Sequence, residues 1–127
     1  LRRGVTSRKT FLEHLLAHGI SLVPMQGKRL YTTQHGKHVF LGYSRENSRN
    51  EGHFFFGVKE EPIDIVVFIC VDSESRMHPF IVARPDLANV WNLLVLRDGE
   101  RKVNIVRRNG KWTLRVPRTD TDIPIEL

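Results

Sequence analysis

Nine consecutive residues constrain this chain more than any other stretch: Ile63-Asp64-Ile65-Val66-Val67-Phe68-Ile69-Cys70-Val71. All but Asp64 are apolar, and most are β-branched. Branching at Cβ crowds a helix but suits the pleated surface of a strand. The run shows no polar–apolar alternation, so it predicts a strand buried on both faces, the central strand of a sheet. It is also far too short to cross a bilayer as a helix.

The segments around it predict the rest of the architecture. Residues 7–18 place Phe11, Leu12, Leu15 and Leu16 on one helical face. Ser7 can cap the start, Thr10 and Glu13 offer a capping box, and Gly19 supplies a stop. After Gly19 the pattern turns to strands. Residues 20–25 contain Pro24, which suits an edge. Residues 28–33 and 37–43 flank a Gln34-His35-Gly36 turn, and residues 53–58 and 78–83 are strand-like. Residues 45–52 and 72–77 are polar loops. Residues 87–92 fit a helical turn, and the tail from Pro117 reads as extended. Asp98-Gly99 and Asn109-Gly110 lie between strand-like runs, the strongest short-range hairpin signals. The expected fold is α+β: one amino-terminal helix and a mostly antiparallel, curved sheet of about seven to eight strands. An open sheet and a partly closed barrel both satisfy the pattern. The chain reads as a single domain over residues 1–127, a length that supports a real core. It does not begin with Met, which fits a fragment of something longer.

Composition narrows the function classes. One cysteine, Cys70, excludes an internal disulfide and a cysteine-based zinc site. No membrane segment or signal peptide is visible, so an intracellular protein is expected, cytoplasmic or nucleoid-associated. The net charge is +6, unevenly spread. Residues 1–50 hold nine basic and two acidic residues, residues 51–100 four and nine, and residues 101–127 seven and three. The two ends are basic and the middle acidic. If the ends meet, they form one positive face suited to a polyanion.

Five groups of residues could carry chemistry. The hairpin Arg107-Arg108-Asn109-Gly110-Lys111 presents cations to a phosphate backbone, with Trp112 beside it expected to pack into the core. Loop 45–52 carries Arg45, Asn47, Arg49 and Asn50, side chains that pair with guanine and adenine edges. Tyr31, His35, His38, Tyr43 and the run His53-Phe54-Phe55-Phe56 include rings that could stack on unpaired bases. On a strand, Phe54 and Phe56 share one face while His53 and Phe55 share the other. Core packing on both faces accounts for those rings without a ligand. His14 and His18 stand four apart on the helix, but no third metal ligand accompanies them, so no metal site is assigned. Cys70 lies in the apolar strand and reads as an inert core thiol.

Two resemblances bear on function. Arg84-Pro85-Asp86 followed by Glu100-Arg101-Lys102 resembles the PD-(D/E)xK motif of restriction-type nucleases. That resemblance implies acids holding Mg²⁺ and a Lys steadying the attacking water, here Asp86 or Asp64 with Glu100 and Lys102. It departs from the motif in placing Glu100 at a turn. Separately, the run from Phe54-Phe55-Phe56-Gly57-Val58 through residues 64–70 to Phe80-Ile81-Val82 is similar to small α+β domains of restriction and mobile-element proteins. Some of these are nuclease cores and some are DNA-reading modules.

The resulting expectation is a DNA-binding domain, a module of a restriction or defence system, with double-stranded DNA as partner and no cofactor. Arg2, Arg3, Arg8 and Lys9 would join Arg107, Arg108 and Lys111 on phosphates, and loop 45–50 would read bases. The alternatives are a Mg²⁺-dependent nuclease using the carboxylates above and a protein-interaction domain.

Overall fold

The apolar run forms β5 (Ile65–Val71). In the computed structural model, which describes residues 3–17, 19, 21–25, 30–117 and 122–125, every residue of this strand after Ile65 is buried. Its two faces enter different cores. Val66, Phe68 and Cys70 point into one cluster, and Val67, Ile69 and Val71 into another. The absence of alternation in the sequence records this double burial.

Helix α1 (Arg3–Ala17) covers one side. Phe11 is buried against Tyr31, Val39, Leu41, Val67, Ile69 and Val71, with Leu12 and Leu15 packed alongside. The helix begins four residues earlier than the Ser7 signal and ends before Gly19. The sheet beneath it has the order β1-β2-β3-β5-β6. Its other members are β1 (Leu22–Pro24), β2 (Leu30–Thr33), β3 (His38–Arg45) and β6 (Met77–Ala83). We call it the covered sheet. β1, with Pro24, lies at its edge as expected.

On the far side lies a second sheet, the open sheet. It contains β4 (His53–Lys59), β7 (Val95–Arg97), β8 (Glu100–Arg108), β9 (Lys111–Arg115) and β10 (Asp122–Pro124). The long β8 pairs with β4 along one side. Along the other it pairs with β7 near its start and β9 near its end. Phe54, Phe56, Val58, Val103, Ile105 and Leu114 from this sheet meet Phe40, Val66, Phe68 and Phe80 from the covered sheet. Phe56 meets Phe68 edge-on, with centroids 4.9 Å apart.

Among the described residues, ten strands in two face-to-face sheets replace the single curved sheet of fewer strands expected from the sequence. The cause is the path of β4. β3 and β5 pair in parallel, Val39 opposite Ile65 through Arg45 opposite Val71. Parallel neighbours need a crossover between them. Here the crossover is β4, which leaves for the other sheet and pairs with β8. The described part of the tail also forms a strand, β10 on β9. The two glycine hairpins are as expected. Asp98 and Gly99 sit at φ 55° and 75°, Asn109 and Gly110 at 53° and 74°. Two successive left-handed residues make the tight turn that matches strand twist. A short 3-10 turn (Arg84–Leu87) and α2 (Ala88–Trp91) close the end of the core with Leu87 and Trp91.

Candidate functional site

At one end of the sandwich, loop 45–52, loop 72–76 and the β8–β9 hairpin converge. Two buried or nearly buried carboxylates hold them. Glu46 accepts hydrogen bonds from Gly52 N (2.7 Å) and Ser73 N (3.1 Å). Asp72 accepts from Glu74 N and Arg76 N, both at 2.9 Å, and meets His78 Nε2 at 2.9 Å. Burial alone would raise the Asp72 pKa. The bonds from His78, Arg76 and Glu74, with the nearby His78 ring, outweigh it and hold the carboxyl below its ordinary value. Arg107 reaches both acids at 3.7 Å and lies 5.1 Å from the Trp112 ring centroid. Trp112 packs against the core as expected, touching Phe54, His78 and Phe80.

This arrangement sorts the expected phosphate and base contacts. Arg107 is engaged within the knot of charges. Asn47 is also occupied: its Oδ1 accepts from Arg49 N (2.8 Å) and Asn50 N (3.1 Å), which shapes the loop. Arg45, Arg49, Asn50, Arg108 and Lys111 are exposed. Lys9 is exposed on α1, the layer farthest from the open sheet. Arg2 lies outside the described residues, as do the side chains of Arg3 and Arg8, and His18. Among the described residues, Lys9 and the hairpin cations belong to different layers rather than to one face.

The nuclease set is likewise dispersed. Asp64 Oδ2 accepts from His38 N (2.8 Å) just before β5. Asp86 is exposed in the 3-10 turn. Glu100 opens β8 rather than sitting in the turn, and takes Lys102 Nζ at 2.8 Å. Among the described residues, no three His, Cys, Asp or Glu side chains gather as a metal-holding group. The neighbours of this motif serve packing. Arg84 lies 3.9 Å above the Trp91 ring, and the Trp91 indole donates to Glu60 at 3.0 Å. Arg101 donates to the same carboxylate. That bond, with the one from Trp91, holds Glu60 below its ordinary pKa against the opposing effect of burial.

The outer face of the open sheet is a surface that the linear order of residues does not reveal. Strand alternation and pairing define it. Phe54, Phe56 and Val58 point inward on β4, so His53, Phe55, Gly57 and Lys59 point outward. On β8, Glu100, Lys102, Asn104, Val106 and Arg108 lie on the side opposite Val103 and Ile105, with Val106 itself buried. Arg97 pairs with Glu100, and Lys111 and Arg115 share the outer side of β9. The face therefore carries six cations, Lys59, Arg97, Lys102, Arg108, Lys111 and Arg115, beside two acids, Glu100 and, at the register position opposite Arg115, Asp122. Within it Phe55 is 51% exposed, its ring stacked near His53 with centroids 6.4 Å apart. The expectation that both aromatic faces pack into the core fails for Phe55. The alternation of His53 to Phe56 is visible in the sequence. The exposure of the Phe55 side is not.

No protein-family model matches the chain, and no curated protein matches it. Among the described residues, no helix is long and apolar enough to cross a membrane.

Proposed function

We propose that this chain is a nucleic-acid-binding domain and that its contact surface is the outer face of the open sheet. One observation carries the reading: six cations and an exposed phenylalanine share a face with two acids, Glu100, which is already paired with Lys102, and Asp122, which stands opposite Arg115 in the register, so the face stays positive. A positive face of this kind attracts a phosphate backbone by releasing its counterions. Three acids support the same assignment by their positions. Glu46 and Asp72 are tied up at one end and Glu60 at the other. The hairpin cations Arg108 and Lys111 extend the face, and loop 45–52 stands beside them, available for base contacts. Nucleic acid as partner implies an intracellular setting.

The test is binding to fluorescent DNA across a salt series. Replacing Lys59, Arg108, Lys111 or Arg115 singly by Ala should flatten the log–log salt slope by about 0.7–0.9 for each phosphate that is no longer neutralised. Lys9→Ala, on the helix side, should leave the slope unchanged. No binding at low salt, or a slope that responds to Lys9 and not to the open face, would overturn the proposal.

A further inference from the structure

The open face is not flat. Beside β4 it holds a hollow of about 770 Å³, lined by Tyr43, Phe55, Gly57, Lys102, Asn104 and Pro117. Sites that enclose small molecules fall at roughly 300–1,000 Å³. Gly57 in its wall brings no side chain. A Cβ there would collide with Glu100 Oε1 and stand 3.3 Å from Lys102 Nζ. With glycine in place, the Glu100–Lys102 pair lies down against β4.

Three chemistries meet at this point. Phe55 offers a half-exposed flat ring. Asn104 brings an amide whose Oδ1 is buried and meets no hydrogen-bond donor among the described residues. Lys102 brings a cation, with a carboxylate beside it. A flat apolar surface, an amide with an unmatched acceptor and an ammonium group together suit a heteroaromatic base attached to a phosphate. Phosphate alone would not use the ring, and an aliphatic ligand would not use the amide.

We infer that this hollow receives an unpaired base of a single-stranded nucleic acid, stacked on Phe55. The inference rests on the nucleic-acid reading above and selects within it. Bases in a duplex are already stacked and have no face to give to Phe55, whereas an unpaired base does. The flanking charges fit a strand running along β8. Lys59 and Arg97 stand beside Glu100 at its start, and Arg108 and Lys111 at its far end. At a rise of about 3.3 Å per residue, those cations are roughly 26 Å apart. That distance suits a contact of a few nucleotides, the short end of the range of about 4–16 for single-strand sites. Asn104 and Lys102 lie between the two charged ends, so the base enters mid-strand.

The experiment compares a labelled DNA strand of about 12 nucleotides with the same strand annealed to its complement, by fluorescence anisotropy across a salt series. The wild-type chain should bind the single strand more tightly than the duplex. Phe55→Ala should weaken single-strand binding by about tenfold, the loss of one stacked base, with the salt slope unchanged. Phe55→Trp should keep the affinity and show quenching of its indole fluorescence on binding. Melting curves confirm that both variants fold. Equal or tighter binding of the duplex by the wild type would overturn the inference. So would salt-dependent binding that Phe55→Ala does not weaken; this result would leave the nucleic-acid reading standing. Failure of the wild type to bind either form would remove both.

Discussion

Gly52→Ala offers the sharpest test of how the loop end is built. Gly52 joins loop 45–52 to β4 at φ +80°, in the left-handed region. A residue with a Cβ loses about 1–2 kcal/mol in that conformation. Here the added methyl would also collide with the backbone carbonyl oxygen of Arg107. Backbone in the middle of a sheet cannot swing aside as a side chain does, so the loop itself must move. Moving it disrupts two hydrogen bonds, Arg107 N to Gly52 O at 2.8 Å and Gly52 N to Glu46 Oε2 at 2.7 Å. At about 1 kcal/mol each, somewhat more for the carboxylate, the total loss is about 3–4 kcal/mol. Gly110→Ala is the matched control. Gly110 has a similar φ of +74°, but nothing lies within 4 Å of its missing Cβ. Its loss should be only the conformational part, about 1–2 kcal/mol. Urea unfolding followed by tryptophan fluorescence measures both. The Gly52→Ala midpoint should fall about 1 M below that of Gly110→Ala, given a slope of about 1–3 kcal/mol per molar. Equal losses in the two variants would refute the claim that the backbone of β8 closes over Gly52.

Asp72→Asn should destabilise the fold by about 1–3 kcal/mol at neutral pH, because it removes a charge-assisted acceptor shared by two backbone groups and His78. The folded carboxyl titrates below its ordinary value of 3.8. Its contribution is therefore complete above that pH and lost as pH falls through the folded pKa, so denaturation curves of wild type and variant should converge in acid. Cys70 is fully buried, and burial raises its thiol pKa well above the ordinary value. A disulfide reagent should leave it unmodified in native protein and label it promptly in urea; rapid labelling without denaturant would contradict its placement between the sheets.

Much of this fold is legible in the sequence where a local rule suffices. Asp98-Gly99 and Asn109-Gly110 announce their turns because few other residue pairs tolerate two left-handed conformations in succession. The unbroken run at residues 65–71 announces burial on both faces. Pairing across distance is less legible. Phe54 and Phe56 mark a strand, yet nothing near them says that β4 abandons its neighbours for β8, with Phe54 opposite Ile105. Missing that partner choice merges the two sheets into one. It also hides which side of β4 faces solvent, and so lets Phe55 pass as core. The basic residues are all countable, but a count assigns no layer. The cations at the end of β8 and those of α1 read as one surface because strand alternation along β8 and β9 acts only once the pairing is known. The hollow at Gly57 depends on the side chains of a strand more than forty residues later, beyond the reach of any local pattern.

The pairing of β4 with β8 also bears on the order in which the chain can mature during synthesis. A ribosome that has released residues up to 83 has supplied every strand of the covered sheet and the helix that shields it. β4 has emerged as well, with Phe54, Phe56 and Val58 on its inner side, but its described partner starts at Glu100. During that interval Phe40 of β3 and Val66 and Phe68 of β5 have no opposing layer, and β4 has an unfilled ladder on each edge. Such a nascent state is sticky and prone to pair with the wrong strand. Slow decoding between residues 84 and 99 would prolong it, and early delivery of β8 would end it.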